Sequence, residues 1–235
     1  MVRVIKNITP KNKNSYNYPI ITFDFDWAND EILIDTIEII EKAGINATWF
    51  VTHQTPVLDR LIENPLFEVG IHPNFNGLLN TDYSNGRTAS EIMDRLFEIV
   101  PNARSLRSHS ITQSSQLYKL FQQYGITHDS NDYIPSNSDM TLHPWQLESG
   151  LIKVPYFWSD ETSCLKQSNL SILDLLKRDG LKVFNFHPIH IFLNTEDLNR
   201  YQNTRIIHKS PKELIKKRYK GYGVRNKLFE IIGNI

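Results

Sequence analysis

The chain of 235 residues contains a single cysteine, Cys164, so no internal disulfide can form, which fits a reducing compartment. It also lacks net charge. Its 26 Lys and Arg balance 26 Asp and Glu, so no global field draws it to nucleic acid or to a membrane surface. No uninterrupted apolar stretch approaches the roughly 20 residues of a membrane span, which predicts no integral membrane segment. The opening MVRVIKNITPKNKNSYNYP has no apolar core of the kind a signal peptide needs, which predicts a cytoplasmic protein. There is no internal repeat, no low-complexity segment and no adjacent pair of aspartates anywhere.

The charge that is present is unevenly placed. Residues 200–235 hold 10 Lys and Arg against 2 Asp and Glu, leaving the rest of the chain acidic. This basic segment is either a solvated surface helix or a patch for an acidic partner, such as a phosphorylated sugar carrier or an anionic membrane surface.

Apolar runs with β-branched residues predict strands at 19–25, 47–51, 67–71, 104–107, 126–129, 151–155 and 182–186. Between them, helical spacing predicts helices over 30–43, 56–63, 89–99, 115–124 and 170–178. Gly44 is a stop for the first, and Thr88 with Glu91 is a capping box for the third. Ser210, Pro211 and Glu213 mark the start of a basic C-terminal helical segment over 205–235. Residues 1–18 are Asn- and Lys-rich and read as irregular. Strand–helix alternation implies a mainly parallel sheet, and six or more units without a boundary favour one α/β domain over 1–235, a closed or nearly closed barrel. In such barrels function collects where strands run out into loops.

Residues 20–29, IITFDFDWAN, place Asp24 and Asp26 at the end of the first strand. Residues two apart share a strand face, so the two carboxylates project together and repel unless a cation intervenes. A divalent metal held by one of them leaves the other free as a proton acceptor. The alternative is that one caps the next helix or pairs with an arginine. After the third strand, VGIHPNFNG supplies His72 and Asn76, which with Asp26 could hold one metal while leaving positions open for water and substrate; Asn76 could equally stabilise a turn. LRSHS supplies Arg107, a partner for Asp24, and His109, which could bind metal or substrate or simply sit at the rim. KVFNFHPIHIF supplies His187, a candidate general acid, and His190, whose apolar neighbours suggest a structural role.

These stretches, in this order, resemble the polysaccharide deacetylases of the NodB-homology type, carbohydrate esterase family 4, over residues 19–195. TFDFD is similar to the first motif, GIHPNFN to the second, RSHS to the third, VPYFWSD to the fourth and NFHP to the fifth. The resemblance implies a distorted parallel (β/α) barrel of seven strand–helix units and removal of an N-acetyl or related acyl group from a sugar. It implies Asp24 as base, Asp26 and His72 as ligands of one divalent metal, Arg107 beside the base and His187 as acid. The metal expected is zinc, with nickel, cobalt or manganese as alternatives. It further implies an oxyanion-binding N–H near Ser110, and a pocket wall and acid from Trp158 and Asp160. Tyr156 and Phe157 would join Trp158 in stacking on the sugar, unless these aromatics are core. Three departures stand out: Phe25 separates the usually adjacent acids, Asn76 replaces a histidine, and His109 replaces a proline. FDWA, HPNFN and FHPIHIFLN are similar to a bacterial subgroup found in surface-polysaccharide and O-antigen gene clusters. The expected partner is an acetylated amino sugar, nucleotide-linked, lipid-linked or in an oligosaccharide.

Two rivals stand beside this reading. A phosphatase of the haloacid-dehalogenase type also begins with a strand and Asp-x-Asp, but Ala28 sits where that class needs Thr, Val or Ser. The other rival is a catalytically silent barrel that binds a glycan or a biosynthetic partner.

Overall fold

The structure is a computed structural model that describes residues 3–165 and 171–235. Its strands are β1 (Pro19–Asp24), β2 (Ala47–Val51), β3 (Phe67–Ile71), β4 (Ser105–Leu106), β5 (His128–Asp129), β6 (Trp145–Gln146), β7 (Ile152–Lys153), β8 (Trp158–Ser159) and β9 (Lys182–Phe186). They form one sheet in the order β6-β7-β5-β4-β3-β2-β1-β9-β8, parallel throughout except for the β6–β7 pair.

The two halves of that order meet through one stretch of chain. β7 pairs with β5, β8 pairs with β9, and only residues 154–157 separate them. On the β5 side the pairing continues past β7: Val154 N–H donates to Asp129 O at 2.8 Å and Tyr156 N–H to Asp132 O at 2.9 Å. Residues 152–159 thus bridge the sheet's ends, and the sheet curls into a barrel with seven strand positions. The sequence expectation of a distorted parallel barrel is met. Two details differ. No helix lies between β7 and β8, because Pro155 and its neighbours run on as extended chain, and β6 is a short antiparallel flap on β7.

Local chemistry explains the helices. The Asn29 side chain accepts from Glu31 N–H to open Asp30–Ala43, and Gly44 ends it at φ 64°. That helix buries Ile32, Leu33, Ile37 and Ile40 against the sheet. Thr88 caps Ala89–Ile99 through Glu91 N–H, while the Glu91 carboxylate accepts from Arg87 N–H. The helix expected over 170–178 spans Ile172–Leu176, and residue 170 lies outside the described residues. The C-terminal segment is not one helix. A turn at Pro211–Leu214, without a side-chain cap from Ser210, gives way to a 3-10 turn at Ile215–Lys217, and Val224–Ile232 is a separate helix. Pro188–Leu193 is a helix that the apolar run concealed.

The barrel interior is polar. Thr22, Asp24, Thr48, Glu68, Ser105, Arg107 and Asn185 are all buried. Residues 3–8, expected to be irregular, close its lower end. Ile5 N–H donates to Thr48 Oγ1 at 3.1 Å, and Lys6 N–H donates to Glu68 Oε2 at 3.0 Å. Gly70 lets β3 approach β4: a Cβ there would lie 2.6 Å from Ser105 Oγ and 2.7 Å from Ser105 O. Outside the barrel, Phe23 stacks on Trp49 at 4.2 Å, a contact type worth about 0.5–1.5 kcal/mol beyond area burial.

Candidate active site

The sequence-selected side chains converge at the mouth, where the strands end. Asp24 is the last residue of β1, while His72, Arg107 and His187 immediately follow β3, β4 and β9. Two residues past β1 the chain departs from strand geometry. Asp26 and Trp27 adopt φ values of 43° and 56°. The two acids therefore meet through a left-handed turn rather than by strand alternation. Such a conformation costs on the order of 1–3 kcal/mol for a side chain other than glycine, and it concentrates at functional sites.

Asp24 is held from both sides. Arg107 Nη1 donates to its Oδ1 at 3.0 Å and Asn185 Nδ2 to its Oδ2 at 2.8 Å. Arg107 also donates to Thr22 Oγ1, Ser130 O and Asn185 Oδ1, and its guanidinium lies between the rings of Phe50 and Tyr156. Burial alone would raise the Asp24 pKa. The Arg107 charge, with His72 and His187, outweighs it and leaves the carboxyl below its ordinary value.

Asp26 faces two imidazoles. His72 Nε2 lies 3.2 Å and His109 Nδ1 3.1 Å from its Oδ1. Burial would raise its pKa, but hydrogen bonds to His109 and His72 and the nearby His187 hold it well below the ordinary value. Ligand atoms of Asp26, His72 and His109 all lie within 4.8 Å of one another. One carboxylate and two imidazoles suit a divalent zinc-type ion with open positions, and Nδ1 of His72 is buried without a hydrogen-bond partner. The residues therefore fit a metal. Asn76 stands apart: its Nδ2 donates to Ser110 Oγ at 2.9 Å and its Oδ1 accepts from Thr112 Oγ1 at 3.2 Å.

His187 caps the helix Pro188–Leu193. Its backbone N–H donates to Asp160 Oδ2 at 2.6 Å and its Nδ1 to Asp160 Oδ1 at 2.7 Å. Nε2 is thereby turned to the acids, 3.8 Å from Asp24 Oδ2 and 3.6 Å from Asp26 Oδ2. Burial opposes protonation, yet Asp160, with Asp26 and Asp24, raises the His187 pKa to about 10. His190 goes the other way. Burial lowers it to about 4, and its Nδ1 meets Thr195 Oγ1 at 3.1 Å. Asp160, His187 and His190 are also close enough to form a ligand set. However, Asp160 is fully buried and already accepts from His187 twice and from Glu161 N–H, so its carboxylate is engaged in holding His187.

A cavity of about 370 Å³ opens above these groups, lined by Asp24, Asp26, His72, His109, Asn185 and His187 and walled by Ser110, Tyr133, Tyr156 and Tyr201. Trp158 and Asp160 do not line it. Trp158 packs on Phe184 and Phe186 in the core, and Phe157 meets Phe184 edge-on. Asn185 was missed by sequence reading. Its one visible signal is an amide inside the strand KVFNF, between two phenylalanines.

A family model described as WbmS-like polysaccharide deacetylase matches residues 21–205. A crystal structure from Bordetella bronchiseptica, described as a polysaccharide deacetylase involved in O-antigen biosynthesis, is 38% identical. The match covers 99% of this chain and 98% of that one, with a TM-score of 0.92. A Mycobacterium smegmatis structure, also described as a polysaccharide deacetylase, is 16% identical over 97% of this chain and 93% of its own, with a TM-score of 0.50, a likeness of fold alone. No functionally curated protein matches the chain. The barrel, the acids at its mouth and the family match agree: the chain belongs to the WbmS-like polysaccharide deacetylases.

Proposed function

We propose that this protein is a metal-dependent hydrolase that removes an N-acetyl or related acyl group from an amino sugar during assembly of bacterial surface polysaccharide or O-antigen. The observation that carries it is a division of labour at the barrel mouth. Asp26, His72 and His109 form a ligand cluster, while Asp24 stands beside it, braced by Arg107 and Asn185. Family membership and the likeness to the Bordetella protein support the polysaccharide context. The third protein ligand is His109, with Asn76 instead fixing the Ser110 turn. Zinc suits this donor set.

When bound, the metal supplies Lewis-acid polarisation of the acyl carbonyl and lowers the pKa of water. Asp24 accepts the proton of the attacking water, held ionised and oriented by its two donors. The main chain at Ser110 offers an N–H toward the oxyanion. His187, with Nδ1 fixed by Asp160, gives its Nε2 proton to the departing amine. The C–N bond breaks, leaving acetate and a free amino sugar. Tyr156 walls the pocket, and Trp158 supports it from the core. No described helix is long and apolar enough to cross a membrane.

Metal analysis paired with an acetate-release assay tests the reading. Asp24→Asn should keep its metal and lose turnover, whereas Asp26→Asn, His72→Ala and His109→Ala should lose both. Unchanged metal content in the last three variants removes the assigned ligands. Sugar binding without acetate from the wild type would favour the silent glycan-binding barrel.

A further inference from the structure

The uneven charge of the sequence comes to one place in the fold. Residues 205–222 carry seven Lys and Arg against a single acid, Glu213. They include three short turns, Arg205–Ile207, Pro211–Leu214 and Ile215–Lys217, the second in contact with both others. Their inner side is fixed to the body of the protein. Leu214 is buried, and Tyr219 N–H donates to Leu193 O at 2.8 Å. Arg200 Nη1 donates to Lys217 O at 2.8 Å, and Asn194 Nδ2 donates to Tyr219 O at 3.0 Å and to Gly221 O at 2.9 Å. The main chain is thus held in place while the long side chains face solvent.

Arg205, Lys209, Lys212, Lys216, Lys217 and Lys220 are exposed. Of these six, Lys216 alone meets an acid among the described residues, the nearby Glu213, while Arg218 pairs with Asp35. Between them stand Ile206, 93% exposed, Tyr222 at 57% and Ile215 at 40%. One exposed isoleucine is ordinary. Two isoleucines and a tyrosine set among six cations have the composition of an interfacial surface, where cations meet anionic headgroups and apolar groups enter the headgroup boundary. A nucleic-acid backbone would use the cations but leave the isoleucines in water. Five of the six are also lysines, point charges without the planar fork that grips a single phosphate. Position adds to composition. Lys209 lines a cleft together with Asp26, and Tyr201 and Gln202, just before the first turn, line the reaction cavity. The basic surface therefore borders the barrel mouth. Because the whole chain is neutral, attraction is confined to this edge and orients the molecule.

We propose that residues 205–222 form a docking surface for an anionic phospholipid bilayer, with Ile206 entering the headgroup boundary and the barrel mouth at the edge of the contact. Docking does not rest on the deacetylase reading, and its test uses no measurement of turnover, so either can fail without the other.

The test is co-sedimentation of the full-length protein with vesicles of phosphatidylcholine alone or of equal parts phosphatidylcholine and phosphatidylglycerol. The anionic vesicles should bind at least about tenfold more tightly, and added sodium chloride should weaken that binding. A combined Lys212→Glu, Lys217→Glu and Lys220→Glu variant should lose the preference, with an unchanged urea midpoint showing that it folds. Ile206→Ser should weaken binding severalfold. Ile206→Trp should bind as the parent does and give a blue-shifted emission on anionic vesicles. Sodium phosphate should displace the protein no better than sodium chloride of equal ionic strength. Equal binding to both vesicles, a charge-reversed variant that binds as the parent does, or an Ile206→Trp emission that vesicles leave unmoved each overturns the proposal. So does displacement specific to phosphate, which would mark a small-anion site, and so does tighter binding to a DNA duplex than to the anionic vesicles.

Discussion

Asn185 is the smallest part with the widest reach in the site. It donates to Asp24, and its Oδ1 accepts from both Arg107 and Thr22. Asn185→Leu should keep the fold and metal content but lower kcat by roughly 10²-fold at little cost in KM, because orientation of the proton acceptor is lost. Parallel metal analysis and steady-state kinetics check this. Asp160 governs the other proton. The His187 pKa, near 10 in the folded chain against 6.5 for a free imidazole, means its charge stabilises the fold fully below pH 6.5, and that contribution is lost as pH rises through 10. Asp160→Asn removes the principal cause of the shift, so the alkaline limb of the pH–rate profile should move to lower pH. An unmoved limb would separate Asp160 from the acid's titration. At this scale the sequence was largely readable. Asp24, His72, Arg107 and His187 stand out as polar residues at the ends of apolar strands. The grouping of His109 with Asp26 was not readable, since it joins residues 83 apart in sequence, whereas Asn76 was read from local spacing after the third strand and hydrogen-bonds Ser110 and Thr112.

Among the elements, the long strands and helices were legible because their apolar spacing is regular. β6 and β8, two residues each, and Pro188–Leu193, buried on every side, carry no periodic signal. β3 depends on its glycine. Gly70→Ala would press a methyl into Ser105 and into Phe50, 2.9 Å away, and should cost about 1–3 kcal/mol, read as a lower urea midpoint with unchanged m-value. The C-terminal segment is tied back by the ion pairs of Arg218, after the 3-10 turn, and Arg225, in the last helix, with Asp35 on the first long helix. These side chains are partly exposed, so Asp35→Ala should cost no more than about 1 kcal/mol and leave acetate release intact. Two of the cations in this segment thus serve docking, a contact that net charge by residue window could not reveal.

For the whole molecule, a closed or nearly closed barrel followed from strand–helix alternation, but the route did not, since it depends on one extended stretch pairing in two directions. The polar interior also sets a response to acid. Glu68 is fully buried, and burial raises its pKa despite hydrogen bonds from Lys6 N–H, Ser105 and Thr48. Its protonation therefore favours the folded state: that stabilisation is complete below pH 4.5 and is lost as pH rises through the folded value. Glu68→Gln should flatten this part of the stability–pH curve, as measured by denaturant titration at several pH values. Depressed Asp24 and Asp26 act oppositely, losing stabilisation as acid is added.

The position of β9 between β1 and β8 has a consequence for biosynthesis. Ile20 pairs with Val183, so the first strand waits for a neighbour synthesised some 160 residues later. On the ribosome, the early acids emerge long before the amide and imidazole that discipline them. A prematurely terminated chain would carry Asp24 and Asp26 without either, so the mouth of the barrel is assembled only as the last fifth of the chain is translated.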